Sequence, residues 1–578
     1  MAHDPVRLEL IKNAVGAVVD EMVLTVVRIA YSSILRDTMD LSSAFCDPSG
    51  RMIAQGLSLP LHLGSIPDAM EAVQRRYPDG LHPGDIVVLN DPYLGGMHLP
   101  DIFMFQPVFC EAALLGYGVV VAHHNDVGGR VPGSSAADST EIFQEGLRIP
   151  ILKLYDAGAP NATLFDIIRL NVRVPDVVLG DLAAQVAACR LAERSMQELA
   201  EKYGLKELLS CFEDLLDYSE REARRTIRAI PDGTYRFTDH LDDDGVHQGC
   251  PVRIEVAIIV NGNELTVDLA GTSDQVAGAI NATFSFAKSA AYFAVRAIMD
   301  RDVPNNSGFF RPIHVSAPLG CLFNPRPPAA VAARGVSGFR LIDALFGALA
   351  QAVPDRVRAA GEGGTSSYSI GGHDRNGRFI LFREALMGAW GAGAGCEGID
   401  AAANPACNIA NAPIEAVENQ APIRVERYEL LPDSGGAGKY RGGMSIVREL
   451  RFLGRSATLQ FRSDRRHFRP YGLSGGEAGG PSATSLDDGA GWHELPTKFT
   501  RPLRSGEVLR HVTAGAGGYG DPFQREPASV LADVCDGKVT EAAARHAYGV
   551  VLLAGPWRLD REATAVLRQA RTVGEAVK

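Results

Sequence analysis

The sequence predicts an α+β fold with several sheets, a long N-terminal helix and a central helical segment. Three observations indicate this class: apolar residues recur at helical spacing near the N-terminus and over 176–230, they alternate with a period of two over 233–271, and a second β-rich region spans 422–499. Strands and helices do not alternate regularly, which argues against a parallel α/β fold.

The first element is a predicted helix that runs to about Arg36. Asp4 can cap its N-terminus and Pro5 can occupy its first turn. The apolar positions that define its buried face are Leu8, Ile11, Val15, Val18, Met22 and Val26.

Short apolar runs broken by Gly, Pro and Asn follow over 37–150, and IVVLNDPYLGG and YGVVVAHHNDVGG each read as a buried strand entering a loop. The helical segment that comes next is interrupted only by Gly180 and Gly204. VRIEVAIIV and ELTVDLAG then flank Asn261-Gly262, a strong hairpin signal. FSFAKSAAYFAVRAIMD is a predicted helix, and the chain is again helical from Pro527 onward.

These changes of pattern predict four domains. They are an N-terminal metal-site domain with the central helices, a middle α+β domain, a β-rich domain and a helical C-terminal tail, at residues 1–232, 233–421, 422–526 and 527–578.

Composition excludes some classes of partner. The net charge is −12 and the sequence pI about 5.7, and an acidic chain is a poor match for nucleic acid or an anionic membrane. No basic leader followed by an apolar run and no stretch of about twenty apolar residues occurs. The nine cysteines are scattered without a C-x-x-C pair. We therefore expect a cytoplasmic protein with reduced thiols.

Candidate metal ligands follow a buried strand in Asn90-Asp91-Pro92-Tyr93-Leu94-Gly95-Gly96-Met97-His98-Leu99-Pro100-Asp101. The Pro and Gly residues prevent regular structure, so His98 and Asp101 lie on a loop at a strand end. An imidazole and a carboxylate three residues apart can reach one cation, and this mixture suits Zn, Mn or Fe rather than a thiolate site.

A second candidate cluster ends the next strand. If the strand continues through His123 and His124, alternation sends them to opposite faces, so only one can join the His98 loop. The other histidine, or Asp126, could orient a ligand. Asp40, just past the first helix, is a further carboxylate. The alternative for each pair taken singly is an ordinary hydrogen bond.

Several blocks of the chain resemble the hydantoinase B/5-oxoprolinase family. They are NDPYLGGMHLPD, AHHNDVGG, STEIFQEGLRIP, HLGSIPDAM, NSGFFRPIHVSAPLGCLFNP, KYRGGMSIVREL and TAGAGGYGDP, and the resemblance covers about residues 5 to 522. It implies a catalytic subunit that binds a divalent metal (Zn, Mn or Fe). The implied ligands are Asp40, His98, Asp101 and His123.

The resemblance also implies a partner, a hydantoinase A-type subunit that binds ATP and Mg and phosphorylates the substrate within a hetero-oligomer. In agreement, Gly438-Lys439 lacks the other residues of a phosphate-binding loop. The G-x-G-x-x-G match that begins at Gly515 continues into Asp521-Pro522 instead of a helix.

The expected reaction is ATP-dependent hydrolysis of a cyclic amide such as a hydantoin, oxoproline or lactam. Asp126, Glu145 and His124 are the candidates for accepting a proton or orienting a histidine, and an ordinary ion pair is the alternative for Glu145. Two other functions stay open: a subunit of an ATP-dependent ketone carboxylase of the acetone or acetophenone type, and a scaffold without catalytic residues that positions the ATP-binding subunit.

Overall fold

The computed structural model of the chain describes residues 4–56, 59–362, 366–407 and 409–576. These residues form a mixed α+β fold with 13 α-helices and five β-sheets, which confirms the predicted class. The helices are α1 (Pro5–Ile29), α2 (Ser33–Arg36), α3 (Ser65–Arg76), α4 (Ala162–Asn171), α5 (Pro175–Tyr203), α6 (Leu205–Arg228), α7 (Phe284–Arg296), α8 (Ser307–Phe310), α9 (Gly335–Leu349), α10 (Ile414–Gln420), α11 (Pro527–Cys535), α12 (Glu541–Tyr548) and α13 (Arg561–Ala576).

A seven-stranded antiparallel sheet carries the candidate site. Its strands are β1 (Leu41–Cys46), β2 (Met52–Gln55), β3 (Ile86–Leu89), β4 (Asp101–Cys110), β5 (Ala113–His123), β6 (Leu152–Asp156) and β7 (Ala159–Pro160), in the spatial order β2-β1-β5-β4-β3-β6-β7. Val119 and Val121 of β5 face one apolar core while Val120 and Ala122 face another. Both faces of this sheet are therefore covered, which explains why its strands read as continuous apolar runs.

The first helix is shorter than predicted. α1 ends at Ile29, and Ala30 adopts an extended conformation before α2 begins, so the prediction of one helix to Arg36 is wrong. The break is stabilised by Asp181 of α5, whose Oδ1 accepts hydrogen bonds from the backbone N–H groups of Tyr31 at 2.8 Å and Ser32 at 3.1 Å.

The two glycines of the central helical segment have different roles. Gly180 lies inside α5, where a Cβ atom would come within 2.5 Å of the Tyr31 ring, so the glycine lets the chain pass close to the helix. Gly204 separates α5 from α6 with a φ of +87°, a left-handed conformation that favours glycine.

A four-stranded sheet contains the predicted hairpin. Its strands are β8 (Gly233–Leu241), β9 (Val252–Asn261), β10 (Glu264–Asp268) and β11 (Ile313–Ser316), in the order β11-β10-β9-β8. Asn261 pairs with Glu264, so the turn residues are Gly262 and Asn263, one position later than predicted. Gly262 supplies the positive φ of +63°. The predicted helix after this hairpin is confirmed as α7.

Two further sheets pack face to face, and their strands run from residue 366 to 512, beyond both ends of the predicted β-rich region 422–499. Their strands are β12 (Ser366–His373), β13 (Phe379–Leu386), β14 (Ile423–Leu430), β15 (Ile446–Phe452), β16 (Ser456–Arg462), β17 (Ala483–Asp487), β18 (Trp492–Glu494), β19 (Lys498–Arg504) and β20 (Val508–Val512). One sheet has the order β13-β12-β16-β19 and the other β14-β15-β20-β17-β18. Tyr368, Phe382 and Phe461 of the first sheet and Leu450 and Leu509 of the second share one apolar core.

The C-terminal segment is helical, as predicted. Val530, Val534 and Tyr548 pack with Ala437 of a glycine-rich segment, and the short strands β21 (Leu552–Leu553) and β22 (Arg558–Leu559) form the fifth sheet. No helix within the described ranges is long and apolar enough to cross a lipid bilayer.

Candidate metal centre

Three ligand atoms meet at one end of the seven-stranded sheet, and we call them the metal triangle: Nε2 of His98, Oδ1 of Asp101 and Nδ1 of His123. Nε2 of His98 lies 3.0 Å from Oδ1 of Asp101 and 3.1 Å from Nδ1 of His123, and Nδ1 of His123 lies 2.9 Å from Oδ1 of Asp101. All three side chains are buried. The triangle is a group that could hold one metal ion.

Strand register places two corners of the metal triangle. Asp101 was predicted to lie on a loop, but it is the first residue of β4. It is the direct antiparallel partner of His123, the last residue of β5. Directly opposite residues have Cβ atoms about 5 Å apart, so their side chains meet when they face the same side. β1 begins one residue after Asp40, and the Asp40 carbonyl accepts the His123 N–H at 3.1 Å.

The third corner is placed by an irregular loop that Asn90 holds. The Asn90 side chain donates to the carbonyls of Leu99 at 2.7 Å and Leu147 at 2.9 Å, and it accepts the Ile149 N–H at 2.6 Å. Gly95 has a φ of +94°, and a Cβ atom there would lie 2.4 Å from a backbone nitrogen of α3. The glycine is therefore required for the loop to pass this helix and present His98.

His98 is oriented for binding a cation through Nε2. Its Nδ1 lies 3.1 Å from the carbonyl oxygen of Ala332, and a carbonyl can only accept, so Nδ1 carries the proton and donates. The lone pair of Nε2 then faces the other two corners of the triangle.

Burial keeps both imidazoles of the metal triangle neutral. It lowers the pKa of His98 to about 3, helped by the positive charge of Arg334, and it lowers the pKa of His123 well below the ordinary value, helped by Arg383. Burial would by itself raise the pKa of Asp101, but Arg334 and the histidines outweigh it and hold that pKa well below its ordinary value. Neutral imidazoles and an ionised carboxylate are the forms that bind metals.

The donor set of the metal triangle fits a divalent cation. Two neutral imidazoles place at most one proton among the three ligand atoms, so lone pairs face each other at about 3 Å. With metal–ligand bonds of about 2.1 Å, neighbouring ligand atoms lie about 3.0 Å apart in an octahedral site and about 3.4 Å apart in a tetrahedral one. Two nitrogens and a carboxylate oxygen suit Zn, Mn or Fe. Nε2 of His123 is buried without a hydrogen-bond partner among the described residues. A ring that binds a cation through Nδ1 is held in place by that bond and does not need a partner at Nε2 to be held.

Asp40 and His62 lie just outside the metal triangle. Oδ2 of Asp40 is 4.0 Å from Nδ1 of His123, and burial together with the charge of Asp101 raises the Asp40 pKa to about 7. Nε2 of His62 is 4.0 Å from Oδ2 of Asp101, and its Nδ1 is 2.7 Å from the Ser42 hydroxyl. Sequence reasoning missed His62, although it stands in the HLGSIPDAM block.

His124 points away from the metal triangle. Its Nε2 lies 2.9 Å from Oε1 of Gln185 on α5, on the face of the sheet opposite to His123. This separation is the one that strand alternation predicts.

Asp126 and Glu145 hold backbone near the site. Oδ1 of Asp126 accepts from Nη1 of Arg173 at 2.9 Å and from the Gly133 N–H at 3.1 Å. Oε1 of Glu145 accepts from the N–H groups of Val331 at 2.7 Å and Ala332 at 2.8 Å. Neither carboxylate contacts the metal triangle through a hydrogen bond between described residues.

Glu145 therefore supports the carbonyl that orients His98, because Ala332 is bound through both its N–H and its C=O. Burial raises the Glu145 pKa to about 8.

Three arginines surround the metal triangle, and the sequence reasoning named none of them. They are Arg334 at the start of α9, Arg383 in β13 and Arg462 at the end of β16. Nη2 of Arg334 lies 2.6 Å from Oδ2 of Asp101. The sheet that contains β13 and β16 thus contributes arginines to a site whose candidate ligands come from the first 123 residues.

The chain is similar in sequence and in fold to known proteins. Residues 4–522 match the family described as hydantoinase B/oxoprolinase. The B-type subunit of a putative D-/L-hydantoinase from Pseudomonas sp. (strain NS671) is 36% identical over 98% of this chain and 98% of its own length. The crystal structure of the ATP-dependent caprolactamase from Pseudomonas jessenii superposes with a TM-score of 0.91 at 32% identity and covers 98% of this chain and 100% of that chain. A nucleotide-free acetone carboxylase structure has a TM-score of 0.93 at 19% identity, covering 100% of this chain and 84% of that chain, which shows a shared fold.

Proposed function

The chain belongs to the hydantoinase B/oxoprolinase family, and from this premise we propose that it is the metal-binding, catalytic subunit of an ATP-dependent cyclic amidase. The proposed substrates are hydantoins, oxoproline or lactams. The observation that carries the proposal is the metal triangle, in which three buried ligand atoms lie within about 3 Å of one another. A relative that is named as the B-type subunit of a hydantoinase, and another named as an ATP-dependent caprolactamase, support the reaction class.

A partner, a hydantoinase A-type subunit, is proposed to bind ATP and Mg and to phosphorylate the substrate. A ring amide is stabilised by resonance, and transfer of the terminal phosphoryl group of ATP to the amide oxygen makes the ring carbon electrophilic. Addition of one water to that carbon and cleavage of the C–N bond open the ring to an acyl phosphate, and a second water hydrolyses the acyl phosphate to the carboxylic acid and phosphate. The net reaction consumes ATP and two water molecules and yields ADP, phosphate and the ring-opened acid.

The residues of this chain would hold a cation and the reacting groups around it. His98, Asp101 and His123 would be its ligands, with Asp40 as the candidate fourth. When bound, a divalent cation supplies Lewis-acid chemistry, which lowers the pKa of water and polarises a substrate oxygen. Ala332 fixes the His98 tautomer through its carbonyl, and Arg334 keeps Asp101 ionised. Burial of the site excludes bulk water, which strengthens each of these electrostatic contacts.

Reconstitution tests the proposal directly. The full chain is combined with the proposed hydantoinase A-type subunit, and ring-opened product and ADP are measured with hydantoin, oxoproline and caprolactam. His98→Ala is expected to abolish both products while circular dichroism shows an intact fold. His314→Ala, which removes an exposed histidine in β11, is the matched control and should keep full activity. Full activity in His98→Ala would overturn the proposal.

The same complex separates the two other functions. Incorporation of labelled bicarbonate into acetone, without ring opening of any cyclic amide, would identify a ketone carboxylase. A chain that purifies with no stoichiometric metal and leaves catalysis unchanged when the metal triangle is substituted would be a scaffold for its partner.

A further inference from the structure

Three buried arginines converge on the metal triangle from separate parts of the chain. We call Arg334, Arg383 and Arg462 the arginine cluster; their exposed fractions are 9%, 9% and 4%. We propose that the arginine cluster is an oxyanion-binding site that takes the phosphoryl or carboxylate group of the substrate beside the metal triangle.

Arg334 contacts a metal-triangle residue directly, and Arg462 is linked to another through the Ala332 carbonyl. Nη2 of Arg334 contacts the Asp101 oxygen that faces away from the histidines, at 2.6 Å. Nη1 of Arg462 donates to the Ala332 carbonyl at 3.2 Å, and this carbonyl also accepts the Nδ1–H of His98 at 3.1 Å. A group bound between these two guanidiniums would therefore adjoin the proposed cation.

Strand register brings Arg383 to the same place. Arg383 lies opposite Ser369 of β12, and Arg462 lies opposite Ser367 of the same strand, so both arginines leave the same face of that sheet. The other face carries Tyr368 and the apolar core.

The arginine face looks toward the loop after β5. Ser369 donates to the Pro132 carbonyl at 2.9 Å, and Nη1 of Arg383 donates to the Gly133 carbonyl at 3.0 Å. Arg383 and Asp40 also line one narrow cavity.

Two of the three arginines in the cluster have no ion-pair partner among the described residues, since only Arg334 pairs with a carboxylate. Among the described residues Arg383 and Arg462 form no ion pair and donate only to backbone carbonyls, and the Nε atoms of Arg334 and Arg462 are buried without a partner. A guanidinium cannot be deprotonated in a protein, so three positive charges face Asp101, which is ionised, and Asp40, whose pKa is raised to about 7. The third nearby carboxylate, Asp126, is paired with Arg173. A bound divalent cation adds two more positive charges.

Such an excess of buried positive charge is costly unless an anion compensates it. Burial and neighbouring positive charge lower the pKa of Arg383 to about 10 and that of Arg462 well below its ordinary value, in agreement with the missing partner. The planar guanidinium presents paired N–H donors that match phosphate and carboxylate oxygens. Identifying the anion as the phosphoryl group of an activated amide rests on the proposed function; the oxyanion site itself does not.

Binding of inorganic phosphate to the EDTA-treated full chain tests the inference, because removing metal leaves the arginines as the binding groups. Isothermal titration calorimetry is run with phosphate and, separately, with acetate. Arg383→Gln and Arg462→Gln are expected to weaken binding by about tenfold or more. Arg462→Lys keeps the positive charge but removes the paired N–H donors. Its affinity for phosphate provides the test if a glutamine variant does not fold. Arg424→Gln, at an exposed arginine of β14, is the matched control and should bind as the unsubstituted chain does.

Thermal unfolding separates a binding role from a structural one. If the arginines serve to bind an anion, the chain without that anion carries excess buried positive charge. Replacing one arginine with glutamine removes part of that charge, so the glutamine variants should unfold at an unchanged or higher temperature. Binding of phosphate that depends on the arginines assigns the site to a phosphoryl group, and arginine-dependent binding of acetate alone assigns it to a substrate carboxylate. Absence of binding by either anion, or variants that bind normally but unfold at a lower temperature, would overturn the inference.

The two proposals fail separately. A complex that opens no cyclic amide, made with a chain that binds phosphate through the arginine cluster, refutes the proposed function and keeps the oxyanion site. A complex that opens rings, made with a chain that binds neither anion, refutes the oxyanion site alone.

Discussion

Asp101 and His123 are direct partners across β4 and β5, and Oδ1 of the aspartate lies 2.9 Å from Nδ1 of the histidine. Because backbone hydrogen bonds fix this pairing, the distance between the two candidate ligands is a property of the sheet. Only His98 depends on a loop, and Asn90, Gly95 and the Ala332 carbonyl hold that loop and its imidazole.

Substitution of one of the two adjacent histidines should weaken metal binding, and substitution of the other should not. We predict that His123→Ala weakens divalent metal binding by more than about 100-fold, since loss of a ligand costs more than loss of an outer partner. His124→Ala should bind metal like the unsubstituted chain, because its side chain contacts Gln185 on the opposite face. Competition with a chromogenic chelator measures both affinities. Equal losses in the two variants would contradict the placement of the ligands.

Glu145 is expected to matter for stability through the backbone that it binds. Glu145→Ala leaves the N–H groups of Val331 and Ala332 buried without their acceptor, which should lower the free energy of unfolding by about 2 to 5 kcal/mol. Glu145→Gln keeps an acceptor oxygen and should cost about 1 kcal/mol or less. Urea unfolding checks both values, with Glu198→Ala at an exposed position of α5 as the control. If Glu145→Gln instead abolishes turnover at full stability, Glu145 is a proton acceptor.

Glu145 should also make stability depend on pH. Its pKa is raised from 4.5 to about 8, so the folded state binds its proton more tightly than the unfolded state does. The stabilisation is complete below pH 4.5 and is lost as the pH rises through about 8. Between pH 5 and 8 the unsubstituted chain should lose on the order of 3 kcal/mol relative to Glu145→Gln. Parallel stability curves for the two proteins would disprove the raised pKa.

Asp126 is predicted to anchor a loop. Its carboxylate accepts from the side chain of Arg173 at 2.9 Å and from the backbone of the same residue at 2.8 Å. Asp126→Ala should lower the free energy of unfolding by about 2 to 4 kcal/mol while the chain still binds metal. A double-mutant cycle with Arg173→Ala should show a coupling of about 1 to 3 kcal/mol. A fully stable Asp126→Ala variant that has lost turnover would instead point to proton transfer.

Local patterns pointed to the two segments that form the metal triangle, and the resemblance to the family selected His123 rather than His124 as the implied ligand. His98 and Asp101 stood out because prolines and glycines fix an irregular loop after an apolar strand, and alternation along β5 separated His123 from His124. These signals lie within a few residues of one another. The predicted domain boundaries, the ligand roles of these residues and the catalytic roles of Asp126, Glu145 and His124 remain predictions.

Contacts between residues that are far apart in the chain could not be predicted from the sequence. Arg334 follows an apolar run, Ala329-Ala330-Val331-Ala332-Ala333, and a charge at that position was a usable signal for a buried ion pair. Arg383 and Arg462 carry no local signal, since only the pairing of β12 with β13 and β16 turns them to one face. The end of α1 depends likewise on Asp181, some 150 residues away in the chain.

Anomalous diffraction at the metal absorption edge, on crystals of the full chain, tests the metal triangle most directly. The expected result is a single strong peak within bonding distance of Nε2 of His98, Oδ1 of Asp101 and Nδ1 of His123, and no peak in crystals of His98→Ala. A stoichiometric metal that binds elsewhere in the chain, with no metal between the three corner atoms of the triangle, would contradict it.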